Sequence, residues 1–232
     1  MKIGGLQKQS LNDYPGKVAA TIFLAGCNLR CGYCHNYASL VKGNRQITEE
    51  SVLAYLLENK ELLDGVCVSG GEPTLHRDLP ALLARIKEMG LAVKLDTNGT
   101  NPTMLGSLLQ AGLVDYVAMD VKAPLNYREY NFVCGNALTE ELFNNIKSSI
   151  QILMHSDVAH EFRTTLVNGA HSTLSARNIA MDISGARRYV VQTFRPEHAH
   201  DSAFQKMTPF SQEDMNRFVQ DAKAHVNDVT HT

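Results

Sequence analysis

Short apolar, β-branched runs recur along the chain at Val18–Leu24, Val66–Val68, Ala92–Leu95, Tyr116–Met119, Phe162–Val167 and Tyr189–Phe194. Most are nearly continuous rather than alternating, as strands covered on both faces should be. Between them the apolar residues take helical spacing. Thr48 opens one helix, with Glu49 and Glu50 placed where the positive end of the helix dipole favours them. Leu79, Leu82, Leu83, Ile86 and Met89 form the apolar stripe of the next, and Gly90 stands where a C-terminal cap belongs. A third runs from Thr139, with Leu142, Phe143, Ile146, Ile150 and Leu153 on one side. Weaker helical patterns cover Pro102–Ala111 and Thr173–Ile183, and a last helix over about 211–225 opens at Ser211 with Asp214 three residues on.

This is strand–helix repeated about six times and then a C-terminal helix. Such alternation predicts an α/β fold of parallel strands with right-handed crossovers. No Pro/Ser-rich linker, low-complexity tract or charge block divides the chain, so residues 1–232 read as a single domain. The polar motifs fall at one end of the strands. Gly26-Cys27-Asn28-Leu29-Arg30-Cys31-Gly32-Tyr33-Cys34-His35-Asn36 follows the first strand, and Ser69-Gly70-Gly71-Glu72-Pro73 the second. Asp96-Thr97-Asn98-Gly99 ends the third and Asp120-Val121-Lys122 the fourth, Arg163 lies in the fifth, and Arg195-Pro196-Glu197-His198 follows the sixth. In barrels and open α/β sheets the C-terminal edge is the active one.

Composition narrows the class. With 44% hydrophobic and 20% charged residues the chain is an ordinary globular one. A net charge of −2 and a pI near 6.5 argue against nucleic acid as a partner. No apolar run approaches the roughly 20 residues of a membrane span, and Met1–Ser10 has no apolar signal core. Three of the five cysteines crowd together, which is unlike a secreted disulfide framework and points to a reducing, cytoplasmic compartment.

Three thiolates spaced C-x₃-C-x₂-C can converge on a metal centre. Structural zinc with His35 as fourth ligand is one reading, although zinc usually takes two well-separated ligand pairs. An iron–sulfur cluster is the other, with three cysteine ligands leaving one iron open. Cys67, between Val66 and Val68, reads as a core filler, and Cys134 as a bystander thiol. An arginine inside a strand pattern needs a counter-charge, so Arg163 should meet a neighbouring acid or a ligand carboxylate.

The C-x₃-C-x-Tyr-C loop and Ser69–Pro73 resemble the signature and the Gly-Gly-Glu motif of the radical S-adenosylmethionine (SAM) superfamily. Asp13–Gly16, Asp96–Gly99 and Asp120–Lys122 extend the resemblance to the glycyl-radical-enzyme activases, closest to those serving anaerobic ribonucleoside-triphosphate reductase. The resemblance implies a partial (β/α)6 barrel of the TIM type. It also implies one [4Fe–4S] cluster on Cys27, Cys31 and Cys34, whose open iron takes SAM. By the same resemblance Tyr33, Gly70, Gly71, Glu72, Asp96, Thr97, Asn98, Asp120, Lys122 and Arg163 surround SAM. Glu72 would accept from the SAM ammonium, and a monovalent cation would sit at Asp96 and Asp120. His198, with His200 competing, would line the adenosine site. The implied partners are a glycyl radical enzyme, the anaerobic reductase first, and a low-potential electron donor such as flavodoxin or ferredoxin. No side chain is expected to act as acid or base. Another activase target, or a small-molecule or peptide substrate, is the alternative activity, and a zinc-stabilised binding barrel without chemistry is the alternative class.

Overall fold

The computed structural model describes residues 1–41 and 47–232. Eight strands form one sheet in which spatial order equals chain order. They are β1 (Ile3–Ser10), β2 (Ala19–Leu24), β3 (Gly65–Gly70), β4 (Ala92–Thr97), β5 (Tyr116–Asp120), β6 (Ala159–Leu166), β7 (Arg188–Thr193) and β8 (Asp228–His231). β1 is antiparallel to β2, and every later pair is parallel. Helices α1 (Glu49–Glu58), α2 (Leu79–Glu88), α3 (Pro102–Gln110), α4 (Tyr127–Val133), α5 (Glu140–Met154), α6 (Ser175–Asp182) and α7 (Gln212–Ala222) fill the connections. This is the partial parallel barrel of the expected α/β class.

The local rules hold where the pattern is strong. The Thr48 and Thr139 hydroxyls cap α1 and α5 by accepting from Ser51 and Leu142 backbone N–H groups. Leu79, Leu82, Leu83 and Ile86 of α2 are buried, each stabilising the fold by roughly 1.5–3 kcal/mol through removal of apolar surface from water. Gly90 follows α2 at φ +83°, a left-handed cap that glycine adopts without strain.

Three elements depart from the expected six-strand layout. β1 reads Ile-Gly-Gly-Leu-Gln-Lys-Gln-Ser, glycine-rich and only partly buried, because it is an edge strand of the sheet. β8 is four residues long and follows α7, which ends at Ala222 rather than near residue 225. α4 occupies part of the long fourth connection, held by an Asn126 side chain that accepts from Arg128 and Glu129 backbone N–H groups. β1 and β8 do not pair, so the barrel is open along that side. Among the described residues no helix is long and apolar enough to cross a membrane.

Candidate active site

The cysteine loop leaves β2 and is held from several sides by backbone bonds. Gly26 N–H donates to Leu40 O at 2.9 Å, Arg30 N–H to Cys134 O at 3.2 Å, and Asp201 N–H to Gly32 O at 3.2 Å. Gly32 is pressed on Phe204, whose ring also lies 6.3 Å from that of Tyr33. Cys27, Cys31 and Cys34 line one cavity of about 250 Å³ together with Tyr33, His35, Asn36 and Tyr37. Burial pushes the Cys27 thiol up to about 12 and raises that of Cys34. Cys31 runs the other way, to about 7, chiefly through a hydrogen bond with Cys134.

Among the described residues no three His, Cys, Asp or Glu side chains converge closely enough for one metal ion. Cys27, Cys31 and Cys34 share that cavity, and three thiolates there could hold an iron–sulfur cluster. His35 lines the same cavity, and its ring faces His198 at 5.2 Å.

The second motif is zipped to the exit of β2. Gly71 N–H donates to Leu24 O at 2.9 Å and Glu72 N–H to Gly26 O at 2.8 Å. A Cβ at Gly71 would lie 1.9 Å from Gly26 O, and Gly70 has φ +126° with Leu24 backbone 2.3 Å from its Cβ position. Only glycine allows this approach. Both glycines line the cavity, but Glu72 does not. Its carboxylate is fully buried and occupied. Oε1 accepts from Thr74 N–H at 3.1 Å, Thr74 Oγ1 at 2.6 Å and Thr97 Oγ1 at 2.7 Å, and Oε2 from Asn98 N–H at 2.6 Å. The expected direct bond from Glu72 to an ammonium therefore does not fit this arrangement. Glu72 ties the second loop to the third.

Across the cavity runs a chain of charge. Arg163 Nε meets Asp120 Oδ1 at 3.1 Å and its Nη1 meets Asp96 Oδ2 at 3.3 Å. Lys122 Nζ meets Asp120 Oδ2 at 3.1 Å, and Lys94 closes the other end on Asp96 Oδ1. Ser69 Oγ also donates to Asp96 Oδ2, at 3.0 Å. Burial alone would raise both carboxyls. The cations outweigh it, lowering Asp96 and bringing Asp120 to about 2. Lys122 and Arg163 are both raised by the same pairing, against the opposing effect of burial. All four carboxylate oxygens thus have protein donors. An added monovalent cation at Asp96 and Asp120 does not fit, and Arg163 occupies the position between the two acids. The acid counter-charge expected for Arg163 is present twice over.

Asp96, Thr97, Asn98, Asp120, Lys122 and Arg163 all line the cavity with the thiols. His198 does not: its side chain is 55% exposed and stands behind His35. His200 stacks on Tyr37 with ring centroids 3.9 Å apart. A second cavity of about 570 Å³ shares Asp96, Arg163 and Gln192 with the first and is lined also by Asn12, Asp13, Arg188 and Thr232. Its lining therefore draws on the β1–β2 connection and the chain end after β8, the two borders of the open side of the barrel.

Sequence reasoning missed Ser69, Thr165 and Gln192 as lining residues. The period of two from Arg163 to Thr165 carried that signal. It also missed Cys134, which is fully buried beside Cys31 rather than a bystander.

The thiol loop, the glycine cradle and the charge chain share one sheet edge, and comparison with known proteins gives that combination a class. The Radical SAM superfamily matches residues 21–158. A Methanocaldococcus jannaschii protein, provisionally named a glycyl-radical enzyme activating enzyme, is 35% identical over 229 residues, covering 98% of this chain and 94% of its own. The pyruvate formate-lyase-activating enzyme of Clostridium pasteurianum is 34% identical over 127 residues, about half of either chain at 52% each. Streptococcus suis SuiB bound to its precursor peptide SuiA has a TM-score of 0.68 at 14% identity over 91% of this chain and 48% of its own, a likeness of fold alone. The chain belongs to the radical SAM superfamily. It is an enzyme of the SAM-cleaving oxidoreductase type.

Proposed function

We propose that this enzyme is an activase that generates a radical on a glycine of a partner protein. When bound, a [4Fe–4S] cluster and SAM supply reductive cleavage of the sulfonium and removal of a hydrogen atom from carbon; the protein supplies binding and orientation. Cys27, Cys31 and Cys34 would hold the cluster. Gly70 and Gly71 let backbone approach the ligand. Lys122, whose Nζ also lies 5.8 Å from the centre of the Tyr33 ring, would bind the carboxylate end of SAM together with Arg163. Lys122 and Arg163 are the two cations of the charge chain that line the thiol cavity. The backbone beside Tyr33 would pack against the adenine. No residue in this scheme moves a proton.

The observation that carries the proposal is the one cavity that the three thiols share with Lys122 and Arg163, in a chain that aligns end to end with an activating-enzyme relative. The second cavity, at the open side of the barrel, shares Asp96, Arg163 and Gln192 with the first and would be the route by which a peptide loop reaches them. The likeness to pyruvate formate-lyase-activating enzymes favours a partner class wider than the anaerobic ribonucleotide reductase that the motifs suggest. We therefore state the partner as a glycyl radical enzyme, with the reductase as one member to try. A reduced, SAM-loaded protein mixed anaerobically with each candidate should give a glycyl-radical EPR doublet with one of them. SAM cleavage with no doublet from the reductase or from a pyruvate formate-lyase-type enzyme would overturn the activase reading and favour a peptide or small-molecule substrate.

A further inference from the structure

Two of the three thiols are met by residues from outside their own loop, Cys27 by a hydrogen-bond donor and Cys31 by a buried neighbouring thiol. Asn98 is buried, and its amide orientation is fixed by its neighbours. Oδ1 accepts from Thr100 N–H at 3.0 Å and from Thr100 Oγ1 at 2.7 Å, which leaves Nδ2 as the donor. Nδ2 lies 3.1 Å from Asn28 Oδ1 and 3.9 Å from Cys27 Sγ, within the longer reach of sulfur. Asn28 returns a bond from its own Nδ2 to Thr100 Oγ1 at 2.9 Å, so the ring of partners is closed. The Asn98 amide is committed here, not to a ligand.

Cys134 is the counterpart at Cys31. Its carbonyl is bonded to Arg30 N–H at 3.2 Å, and the next residue, Gly135, lies so close that a Cβ there would stand 2.1 Å from Arg30 O. The two backbones are thus locked together one residue before Cys31, and Cys134, itself fully buried, is held against the cysteine loop there.

A ligand sulfur that accepts a hydrogen bond carries less negative charge, and the cluster it holds is easier to reduce. We propose that Asn98 and Cys134 are positioning residues for Cys27 and Cys31 that raise the reduction potential of the cluster. The inference rests on the cluster, not on which protein or molecule the enzyme acts upon.

The test is EPR-monitored redox titration of the reconstituted full chain, with iron and sulfide counted in parallel. Asn98→Asp keeps the acceptor for Thr100 and removes the donor. At a fixed potential its ratio of reduced to oxidised cluster should fall roughly tenfold, equivalent to ~59 mV for one electron, at unchanged iron content. Cys134→Ala should fall in the same direction by less, and Cys134→Ser, which keeps a donor, should restore the ratio. Wild-type potentials in both Asn98→Asp and Cys134→Ala at full iron content would overturn the inference. If Asn98→Asp holds no iron, the Cys134 pair decides: a fall in Cys134→Ala restored by Cys134→Ser supports it, and no difference overturns it. A wild-type protein that assembles no cluster would overturn the cluster reading itself, a separate outcome.

Discussion

Two polar networks stand side by side at the C-terminal edge of the sheet, and they solve burial differently. On one side Lys94, Asp96, Arg163, Asp120 and Lys122 alternate in sign across β4, β5, β6 and the turn after β5. On the other, Glu72 is a lone carboxylate among Thr74, Thr97 and the Asn98 backbone. In the first, neighbouring cations hold Asp96 and Asp120 below the ordinary carboxylate range. In the second, four hydrogen bonds do not offset burial, and Glu72 is raised. Neutral donors fix the position of a buried carboxylate, while cations also keep it ionised. The charged network is therefore suited to meet a charged ligand, and the neutral one to hold loops in register.

That contrast can be broken in order of effect. Cys31→Ala removes one of the three proposed cluster ligands, so SAM cleavage, read as 5′-deoxyadenosine formed, should drop to background. Cys67→Ala, deep in β3 and outside the cavity lining, should retain cleavage. Gly71→Ala attacks the neutral side. Its Cβ cannot coexist with Gly26 O, so displacement of the loop should cost on the order of 3 kcal/mol, seen as a lower Tm and loss of bound iron. Lys122→Ala attacks the charged side, where SAM affinity by equilibrium dialysis should weaken about tenfold, roughly 1.4 kcal/mol, at unchanged iron content. Loss of iron with affinity for SAM retained would invert the division of labour.

The smallest effect is on acid stability. The Asp120 carboxyl lies below its usual 3.8, at about 2, so its pairing stabilises the folded chain above the unfolded value and is lost as pH falls through the folded one. Asp120→Asn should be less stable at neutral pH but decline less between about pH 4 and 2 in chemical denaturation. An unchanged slope would mean that Lys122 and Arg163 do not hold Asp120 ionised.

Much of this was legible beforehand, for identifiable reasons. The parallel strands announce themselves because burial on both faces demands unbroken apolar runs, as in Val66–Val68 and Tyr116–Met119. The thiols and glycines were legible because their chemistry leaves few substitutes. β1 was not, since an edge strand needs no apolar face and Gly4, Gly5 and Gln7 give no strand signal. The occupancy of Glu72 and the contact of Cys134 with Cys31 were not legible either. Both depend on residues brought together by long-range closure, which no local pattern records. His198 was placed by its position after a strand, but it ends a single 3-10 turn at Pro196–His198 with its side chain largely exposed.

The order of the strands in the sheet bears on how the chain is made. Each strand pairs with the one synthesised just before it, so none waits for a distant partner. The first five strands carry the thiol loop, the Gly-Gly-Glu turn, Asp96, Asp120 and the Glu72–Asn98 ties. The strand pairing of that half can therefore form while the ribosome is still delivering β6, whereas the thiol loop gains its Gly32–Asp201 bond only later. Arg163 then arrives on β6 to meet two carboxylates already in place, and β8 follows to form one border of the open side.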